Sequence, residues 1–591
     1  MRRSYLSSFA LAIGLVLAVL TAPAVAHEER ESQFPPGDGT VPVKRSYAQA
    51  SDVIVVCKPD SRRRIARLPD AGVRRFNQRL LKDCEHRDIQ AAVDAVKRQR
   101  TNIYVLPGVY REKPSWESPC MEGYDGGIIE YAQIVDCGEI INLVTIAGDD
   151  PDDPDITCDN QLCDLQISGT GTQPSDVTLR GGFTEDGDWI KHNGIKADRA
   201  DGFYLENMKA VLFRENAFYV HETDGYVLDR IEAAQNDLYG VLTFTSDHGV
   251  ISRCNAHHNG DSGIYPGSSA DVNATSTTTG PLSRWAVEVK NCNMHHNSLG
   301  YSGTSGNSVY VHDNRIHHNG LGFIVESILG GHPGMPQDHG WFEDNKIYSN
   351  NENYYVDNVQ AEDAPCQAAT PEAVGHQRGI VCPAFGFPVG TGGMIIGNHN
   401  FVSSNQVWDN WRQGFMLFWV PPALMRGDYD PTHQQDNSNM NAFTKNEMGY
   451  SPDGKVLPNG IDFYWDEAGA GNCWQDNLVA PGKEVTHNSV RALPDCGNPS
   501  QWPIGNLIKT VSLVPCATYD RYSDPDPVAC DWLVTPEKPA TDAGAIGTNK
   551  QGSGLGGPVQ LALVGGLTVA GSLALRLVVR RRSQAGHQVA A

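Results

Sequence analysis

From Asn193 to Tyr265 the chain repeats itself every 23 residues. A small or flexible residue followed by an apolar one recurs as Gly194-Ile195, Ala217-Phe218, Gly240-Val241 and Gly263-Ile264, each pair 23 residues after the last. Looser copies follow at Gly300-Tyr301, Gly322-Phe323, Asn353-Tyr354, Gly414-Phe415 and Gly460-Ile461. A fixed period of roughly 20–50 residues marks a stacked-repeat architecture, because one unit cannot bury its apolar face alone. Within each period the apolar residues alternate (Ile195/Ala197, Phe218/Val220, Val241/Thr243), which is the period of a half-buried strand. A second short strand follows at Phe203–Leu205, Tyr226–Leu228, Val250–Ser252 and Val287–Val289. A third ends on a recurring phrase: Asn255-Ala-His-His-Asn259, Asn293-Met-His-His-Asn297, Arg315-Ile-His-His-Asn319, Lys346-Ile-Tyr-Ser-Asn350 and Gln406-Val-Trp-Asp-Asn410. Three short strands with tight turns in each repeat make one coil of a parallel β-helix. The closing Asn residues should then stack at a coil spacing of about 4.8 Å, each amide bonding to the next.

The flanks of the repeat are read from composition. Arg2-Arg3, an apolar run from Phe9 to Leu20 and Ala24-Val25-Ala26 form an export signal over residues 1–26. Residues 27–84 are an N-terminal extension and cap, of which 27–50 are polar, rich in Pro and Gly, and expected to be flexible. Asp88 is placed to cap an amphipathic helix that begins Ile89-Gln90-Ala91-Ala92-Val93. A strand, Ile103–Leu106, and the phrase Pro107-Gly108-Val109-Tyr110-Arg111-Glu112 come next.

A helix of this form, then a strand, then Pro-Gly-x-Tyr-x-Glu resembles the start of the right-handed β-helix in the pectin-lyase-like superfamily. There the helix plugs the open apolar end of the solenoid, as a cap must. The resemblance covers about residues 85–500 and implies an all-β, right-handed parallel β-helix solenoid with an N-terminal capping helix and long loops on one side. It implies less about chemistry, because the superfamily includes lyases, hydrolases, esterases, epimerases, tailspikes, adhesins and NosD-like proteins.

Beyond the solenoid, residues 501–535 read as a C-terminal cap and 536–557 as a flexible linker. Residues 558–579 are apolar enough for one transmembrane helix, with Arg576 snorkelling, and 580–591 form a basic tail expected to stay cytoplasmic. The expectation is an exported, single-pass cell-surface protein. Fourteen Cys residues fit that compartment. They fall into local pairs, Cys57/Cys84, Cys120/Cys137, Cys158/Cys163, Cys366/Cys382, Cys473/Cys496 and Cys516/Cys530. Cys254 and Cys292 sit at equivalent places on neighbouring coils, close enough either to bridge or to stack reduced. A formal charge of −23 argues against a nucleic-acid partner. Nothing in the sequence specifies a subunit partner.

The register sorts the side chains of the first strand. Positions one and three are apolar and inward, so two and four are expected to face solvent. The second-position column includes Lys196, Tyr219, Tyr265 and Tyr355, and the fourth includes Asp198, His221, Glu326, Asp357 and Tyr464. Aromatic rings beside acids suit sugar rings, whose apolar faces stack and whose hydroxyls bond to carboxylates. Long insertions at 268–283, 327–338, 359–392 and 420–436 are expected to leave just after this strand and wall a groove, carrying His332, Asp338, His339 and Trp419. The competing expectation is that these loops merely cover an apolar sheet.

The polysaccharide expectation assigns acid–base roles to Asp198, His221, Glu222, Glu326 and Asp357, and substrate contacts to Lys196, Tyr219, Tyr265, Tyr355, Trp419 and Tyr464. A glycosidase needs two carboxylates roughly 5–10 Å apart, which Glu326 with Asp357 or Asp198 with Glu222 are placed to supply. Lyase chemistry in the superfamily instead implies Ca2+ and an Arg or Lys base, for which Lys196 and Arg199 stand as candidates. The acidic run from Asp149 to Asp155 offers oxygen ligands for Ca2+ or is a solvated loop. His257, His295 and His317 form a column that is either a copper or zinc site or a structural ladder. A non-catalytic carbohydrate-binding spike and a NosD-like metal-associated protein are the alternatives to an enzyme.

Overall fold

The computed structural model describes residues 32–112, 142–149, 156–328, 332–420, 438–502, 505–513, 516 and 531–541. The signal, most of the linker and the apolar 558–579 stretch lie outside them, as do Cys120, Cys137 and Cys530. Among the described residues no helix is long and apolar enough to cross a membrane.

Three long parallel sheets carry the fold. Sheet A has 13 strands and ends at Cys473–Gln475, sheet B has 11, from Gly108–Tyr110 to Leu478–Val479, and sheet C has 10, from Asn142–Ala147 to Phe463–Trp465. Each coil contributes one strand to each sheet, so strands adjacent in a sheet are one coil apart in sequence. This is a parallel β-helix. Ile195, Phe218, Val241, Ile264, Tyr301 and Phe323 stand in one row of sheet C, as the repeat requires.

Two register expectations are corrected beyond that row. Phe323 next pairs with Gly393, not with Tyr354. Residues 351–390 leave the solenoid between the Lys346–Tyr348 and Thr391–Ile396 strands and carry helical turns, including Tyr355–Gln360. This insertion therefore precedes its sheet C strand, whereas those after Ser262–Gly267, Leu321–Glu326 and Gln413–Leu417 follow theirs. Farther on, Phe415 pairs with Phe463, two residues later than Ile461.

The interior is a continuous apolar column closed by polar ladders. Asn Nδ2 donates to the next coil's Asn Oδ1 from Asn236 to Asn259 (2.8 Å), Asn297 (2.8 Å), Asn319 (3.2 Å), Asn350 (2.9 Å), Asn410 (3.1 Å) and Asn459 (3.2 Å). The residue before each closing Asn is left-handed, with φ between +52° and +58° at His258, His296, His318, Ser349 and Asp409. The amide of the left-handed residue still pairs with the next coil's backbone, but the amide of the closing Asn has no carbonyl opposite it, and the next coil's buried Asn Oδ1 accepts from it instead. At the other end of the core, Ile89, Ala92 and Val93 of the first solenoid helix are buried in the same cluster as Val105 and Ile146.

Four expected disulfides are formed, Cys57–Cys84, Cys158–Cys163, Cys366–Cys382 and Cys473–Cys496, and of the two arrangements open to Cys254 and Cys292 the bridge is the one formed. Cys516 is also disulfide-bonded.

The described part of the N-terminal extension is packed against the solenoid. Residues 32–50 lie along the solenoid as an arm. Arg45 is buried, with its amide on Gln166 Oε1 (2.7 Å) and its Nε on Asn102 Oδ1 (3.2 Å), while Lys44 Nζ pairs with Glu206 (2.6 Å). Tyr47 stacks on Tyr104 at 6.0 Å. A polar composition was compatible with solvent, but here its polar groups are matched to amides and carboxylates on sheet A.

Candidate active site

The outward side chains of sheet C are covered. Lys196 (5% exposed), Tyr219 (2%), His221 (1%), Tyr265 (2%) and Glu326 (5%) are buried, against the expectation that these columns face solvent. Towards the C-terminal end, the 351–390 insertion and Trp532–Leu533 close over Ile324, Met394 and Met416 as a second apolar core. Towards the N-terminal end, Tyr219, Leu242, Phe244 and Tyr265 pack with Tyr239. Loops that leave one edge of a sheet have its apolar outer face beside them, and folding back removes that face from water.

Within this covered face one charged cluster stands out. Strand Asn193–Asp198 supplies Lys196 and Asp198, strand Phe218–His221 supplies Tyr219 and His221, and the turns that follow supply Arg199 and Glu222. Parallel pairing sets His221 beside Asp198 and Tyr219 beside Lys196. His221 Nδ1 lies 3.5 Å from Asp198 Oδ1, and Lys196 Nζ lies 3.5 Å from Asp198 Oδ2. Arg199 Nε donates to Glu222 Oε2 (2.8 Å), and its Nη1 to Asp149 Oδ2 (3.2 Å). The Tyr219 ring stacks on His221 at 5.4 Å and carries the Lys196 ammonium 5.4 Å from its centroid. The left-handed backbone at Arg199 and Glu222 belongs to the fold, since Thr245, Ser268 and Ser305 repeat it in the same turn.

The arm reaches this cluster from 189 residues away. Ser32 Oγ stands 2.8 Å from His221 Nε2, and the Gln33 amide donates to Glu222 Oε1 at 2.7 Å. Six residues on, the Gly39 amide donates to Asp224 Oδ2 (2.8 Å). Ser32 and Gln33 carried no local signal in the sequence, because the contact joins an N-terminal stretch without periodicity to the middle of the solenoid.

The other predicted residues are not brought to this cluster. Asp357 is exposed on the 351–390 insertion and Tyr355 is buried there with its hydroxyl on the Phe385 carbonyl, so neither stands in the sheet C column, where Glu326 pairs with Ile396. Glu326 accepts from the Thr304 hydroxyl and the Ile328 amide. Asp198 and Glu222 flank His221, with Glu222 Oε1 4.0 Å from Nε2, instead of facing each other across a gap for a sugar. Tyr265 bonds to His332 at 3.3 Å inside the aromatic cluster. Trp419 is buried, with its amide on Asp466. Tyr464 is half-buried under Lys509, and the two-residue register shift moves it from the fourth to the second column.

The histidine column is a stacked ladder. His257, His295 and His317 stack at 5.0 and 5.3 Å, and Tyr348 and Trp408 extend the column at 4.8 and 4.4 Å. Their ring nitrogens are committed. Nδ1 of each meets Nδ1 of the next histidine in sequence at 2.7–2.8 Å, and Nε2 meets Glu232, Asn255 and Asn293 respectively. Tyr348 and Trp408, which have no imidazole nitrogen, continue the column with a similar spacing, so stacking accounts for it.

No family model matches this chain. No curated protein matches it either. Among solved structures it is similar to pectate lyase Pel9A, at 12% identity, TM-score 0.32, over 74% of this chain and 79% of that one. It is similar to the mannuronan C-5 epimerase AlgE6 A-module of Azotobacter vinelandii, at 13% identity, TM-score 0.33, over 67% and 95%. It is also similar to an alginate lyase from a Paenibacillus species, at 12% identity, TM-score 0.28, over 68% and 96%. The fold assignment rests on the three strand ladders.

Proposed function

We propose that this chain is an exported protein that binds an extracellular polysaccharide at the His221 cluster, in the place the N-terminal arm now fills, and transforms it there, with His221 as general base. One observation carries the proposal: a hydroxyl, that of Ser32, stands 2.8 Å from His221 Nε2 while Asp198 stands on the Nδ1 side. An imidazole with a carboxylate behind it and a hydroxyl or C–H in front is arranged for proton transfer. Lys196 and Arg199 beside it suit the carboxylate of a uronate, whose charge must be neutralised before the α-proton can leave, and Tyr219 is the adjacent phenol. Ca2+ at the Asp149 run is part of this reading, and its residues 150–155 lie outside the described region. The disulfides support an oxidising, extracellular compartment. The signal and the membrane-spanning helix expected from residues 1–26 and 558–579 would deliver and hold the chain there.

A second reading is favoured by the burial of the face itself. Tyr219 and Tyr265 are each 2% exposed, which suits a protein whose loops seal the sheet and which recognises sugar without acting on it. The test is to incubate the purified full-length chain with neutral and uronate polysaccharides, with and without Ca2+, and to follow both ultraviolet absorbance of unsaturated products and new reducing ends. Unsaturated product would mean a lyase, reducing ends alone a hydrolase. His221→Gln should then lower the rate about 100-fold or more. Absence of both signals, and of C5-proton exchange into solvent, with retained binding would leave the non-catalytic reading.

A further inference from the structure

Among the described residues, two groups of carboxylates and imidazoles bring three ligand atoms within 4.8 Å of one another. In the first, Asp224, Asp247 and His248, a guanidinium already takes a cation's place: Arg284 Nη2 stands 2.6 Å from Asp247 Oδ2 and 3.0 Å from His248 Nε2. The second is made of Asp271, Asp338, His339 and His399, and among the described residues no Lys or Arg bonds to it. Asp338 Oδ1 lies 2.8 Å from His399 Nδ1 and 3.2 Å from His339 Nδ1. Asp271 Oδ1 lies 3.2 Å from the same His339 nitrogen. The ligand atoms of Asp338, His339 and His399 all fall within 4.8 Å of one another.

His339 is the informative member. It is 2% exposed, and its Nδ1 makes no well-directed hydrogen bond although carboxylate oxygens of Asp271 and Asp338 each stand 3.2 Å away. At that separation the failure is one of direction: neither oxygen is in line with a proton on the nitrogen. Its Nε2 is 3.2 Å from the Ser276 carbonyl, which only accepts, so the neutral ring carries its proton there and turns the Nδ1 lone pair towards the carboxylates. A lone pair facing two anions is repulsive unless a second proton or a metal cation sits between them, and a proton on this nitrogen is poorly aligned with both oxygens. Oxygens set off the lone-pair axis at this distance match the edges of a tetrahedral site, where bonds of about 2.0–2.1 Å put neighbouring donors roughly 3.3 Å apart.

We infer that His339, Asp338 and His399, with Asp271 alongside, bind one divalent transition ion of the zinc class. Imidazole nitrogens with carboxylates favour zinc over Ca2+, which takes a larger all-oxygen shell. The His339 and His399 rings stack at 4.8 Å and 11°, so binding exchanges the Asp338–His399 hydrogen bond for coordination and tilts the two rings towards the ion. The side chains of Asp338, His399 and Asp271 are each about a fifth exposed (22%, 19% and 21%), leaving a path for the ion and a position for water. Asp271 lies in the insertion after Ser262–Gly267, Asp338 and His339 end the insertion after Leu321–Glu326, and His399 lies in the turn after Thr391–Ile396. An ion here pins two of the loops that cover sheet C, including the one that carries His332 against Tyr265.

The test uses the full-length chain, stripped with chelator, desalted, and given ZnCl2 or CoCl2. About one equivalent of metal should remain after gel filtration, cobalt should show tetrahedral d–d absorption, and zinc but not equimolar CaCl2 should raise the melting temperature. His399→Ala and Asp338→Asn, both at partly exposed positions, should each weaken metal affinity at least tenfold while leaving the metal-free melting temperature near that of the parent. His295→Asn, in the stacked ladder, should leave binding unchanged. Failure to retain metal, or retention unchanged in both His399→Ala and Asp338→Asn, would overturn the inference.

Discussion

Arg199 shows how much one side chain can be asked to hold. It is 1% exposed and bridges Glu222 (0%) and Asp149 (7%), two carboxylates from neighbouring coils. Removing one partner of a buried ion pair leaves uncompensated charge, at a cost of about 3–5 kcal/mol. Arg199→Met should therefore lower stability by about that amount in chemical denaturation, and Arg199→Lys should recover only part, because an ammonium cannot fork between two carboxylates. A loss below about 1 kcal/mol in Arg199→Met would mean the bridge is not formed in solution. At this scale the sequence was legible wherever a residue lay on the repeat. The column placed Asp198 next to His221 and Lys196 next to Tyr219, and parallel pairing does the same. It misplaced Tyr355 and Asp357 because Asn353-Tyr354 imitates the anchor dipeptide inside an insertion. Local spacing cannot separate a repeat from its imitation when the next true strand is about 70 residues beyond the last, as Thr391–Ile396 is from Leu321–Glu326.

Between coils, two ladders make predictions of different kinds. Asn319 is fully buried, donates through Nδ2 to Asn350 Oδ1 (2.9 Å) and the Met294 carbonyl (3.1 Å), and accepts from the Asn297 amide (2.9 Å). Asn319→Ala should cost about 1–3 kcal/mol, since it strands those groups without water. Asn319→Asp should cost at least as much, having no donor for Asn350. The histidine ladder responds to pH. Burial, then the neighbouring imidazoles, push His258 down to about 4, His295 to about 3 and His317 to about 4 from an ordinary 6.5. The pairing gives a local reason. His295 and His317 use Nε2–H on Asn oxygens and accept through Nδ1, so a second proton would set N–H against N–H. Because the folded values lie below the unfolded one, the unfolded chain binds more protons between them. The ladder's stability is therefore fully present above about pH 6.5 and is lost as pH falls towards about 4. Stability should fall across that window by on the order of 1 kcal/mol per ring, since each ring is only partly buried, and the melting temperature should fall with it. His295→Asn should flatten the slope, and an unchanged slope would remove the ladder as its cause. The Asn column was legible as a repeated letter in a repeated phrase. The pairing of adjacent histidines was not, because it depends on the left-handed turn that swings the second ring against the first.

The whole molecule differs from its sequence pattern mainly in what lies on top of the solenoid. Periodicity specifies the coil and its inward face, but loops and tails contact the outward face across 100 residues or more, as in the bonds from Asn353 to Leu533 and from Ser32 to His221. The N-terminal arm is the clearest case and bears on the proposed function. Its Ser32 hydroxyl and Gln33 amide occupy the two groups, His221 and Glu222, that a bound sugar would need, while Arg45 anchors it farther along at Gln166 and Asn102. On the proposed function, substrate and arm compete for this site. Gln33→Pro removes the amide donated to Glu222 yet leaves the Arg45 anchor intact, so it should free the site without unfolding the chain. If the arm is closed nine-tenths of the time, freeing it should raise apparent polysaccharide affinity about tenfold. Carbethoxylation of His221 by diethylpyrocarbonate, followed by peptide mass spectrometry, reports the same opening without requiring a substrate. Faster modification with tighter binding is the expected pair of results. Faster modification without tighter binding would show that the arm covers His221 but that the polysaccharide binds elsewhere, and no change in either would mean the arm does not shield this face in solution.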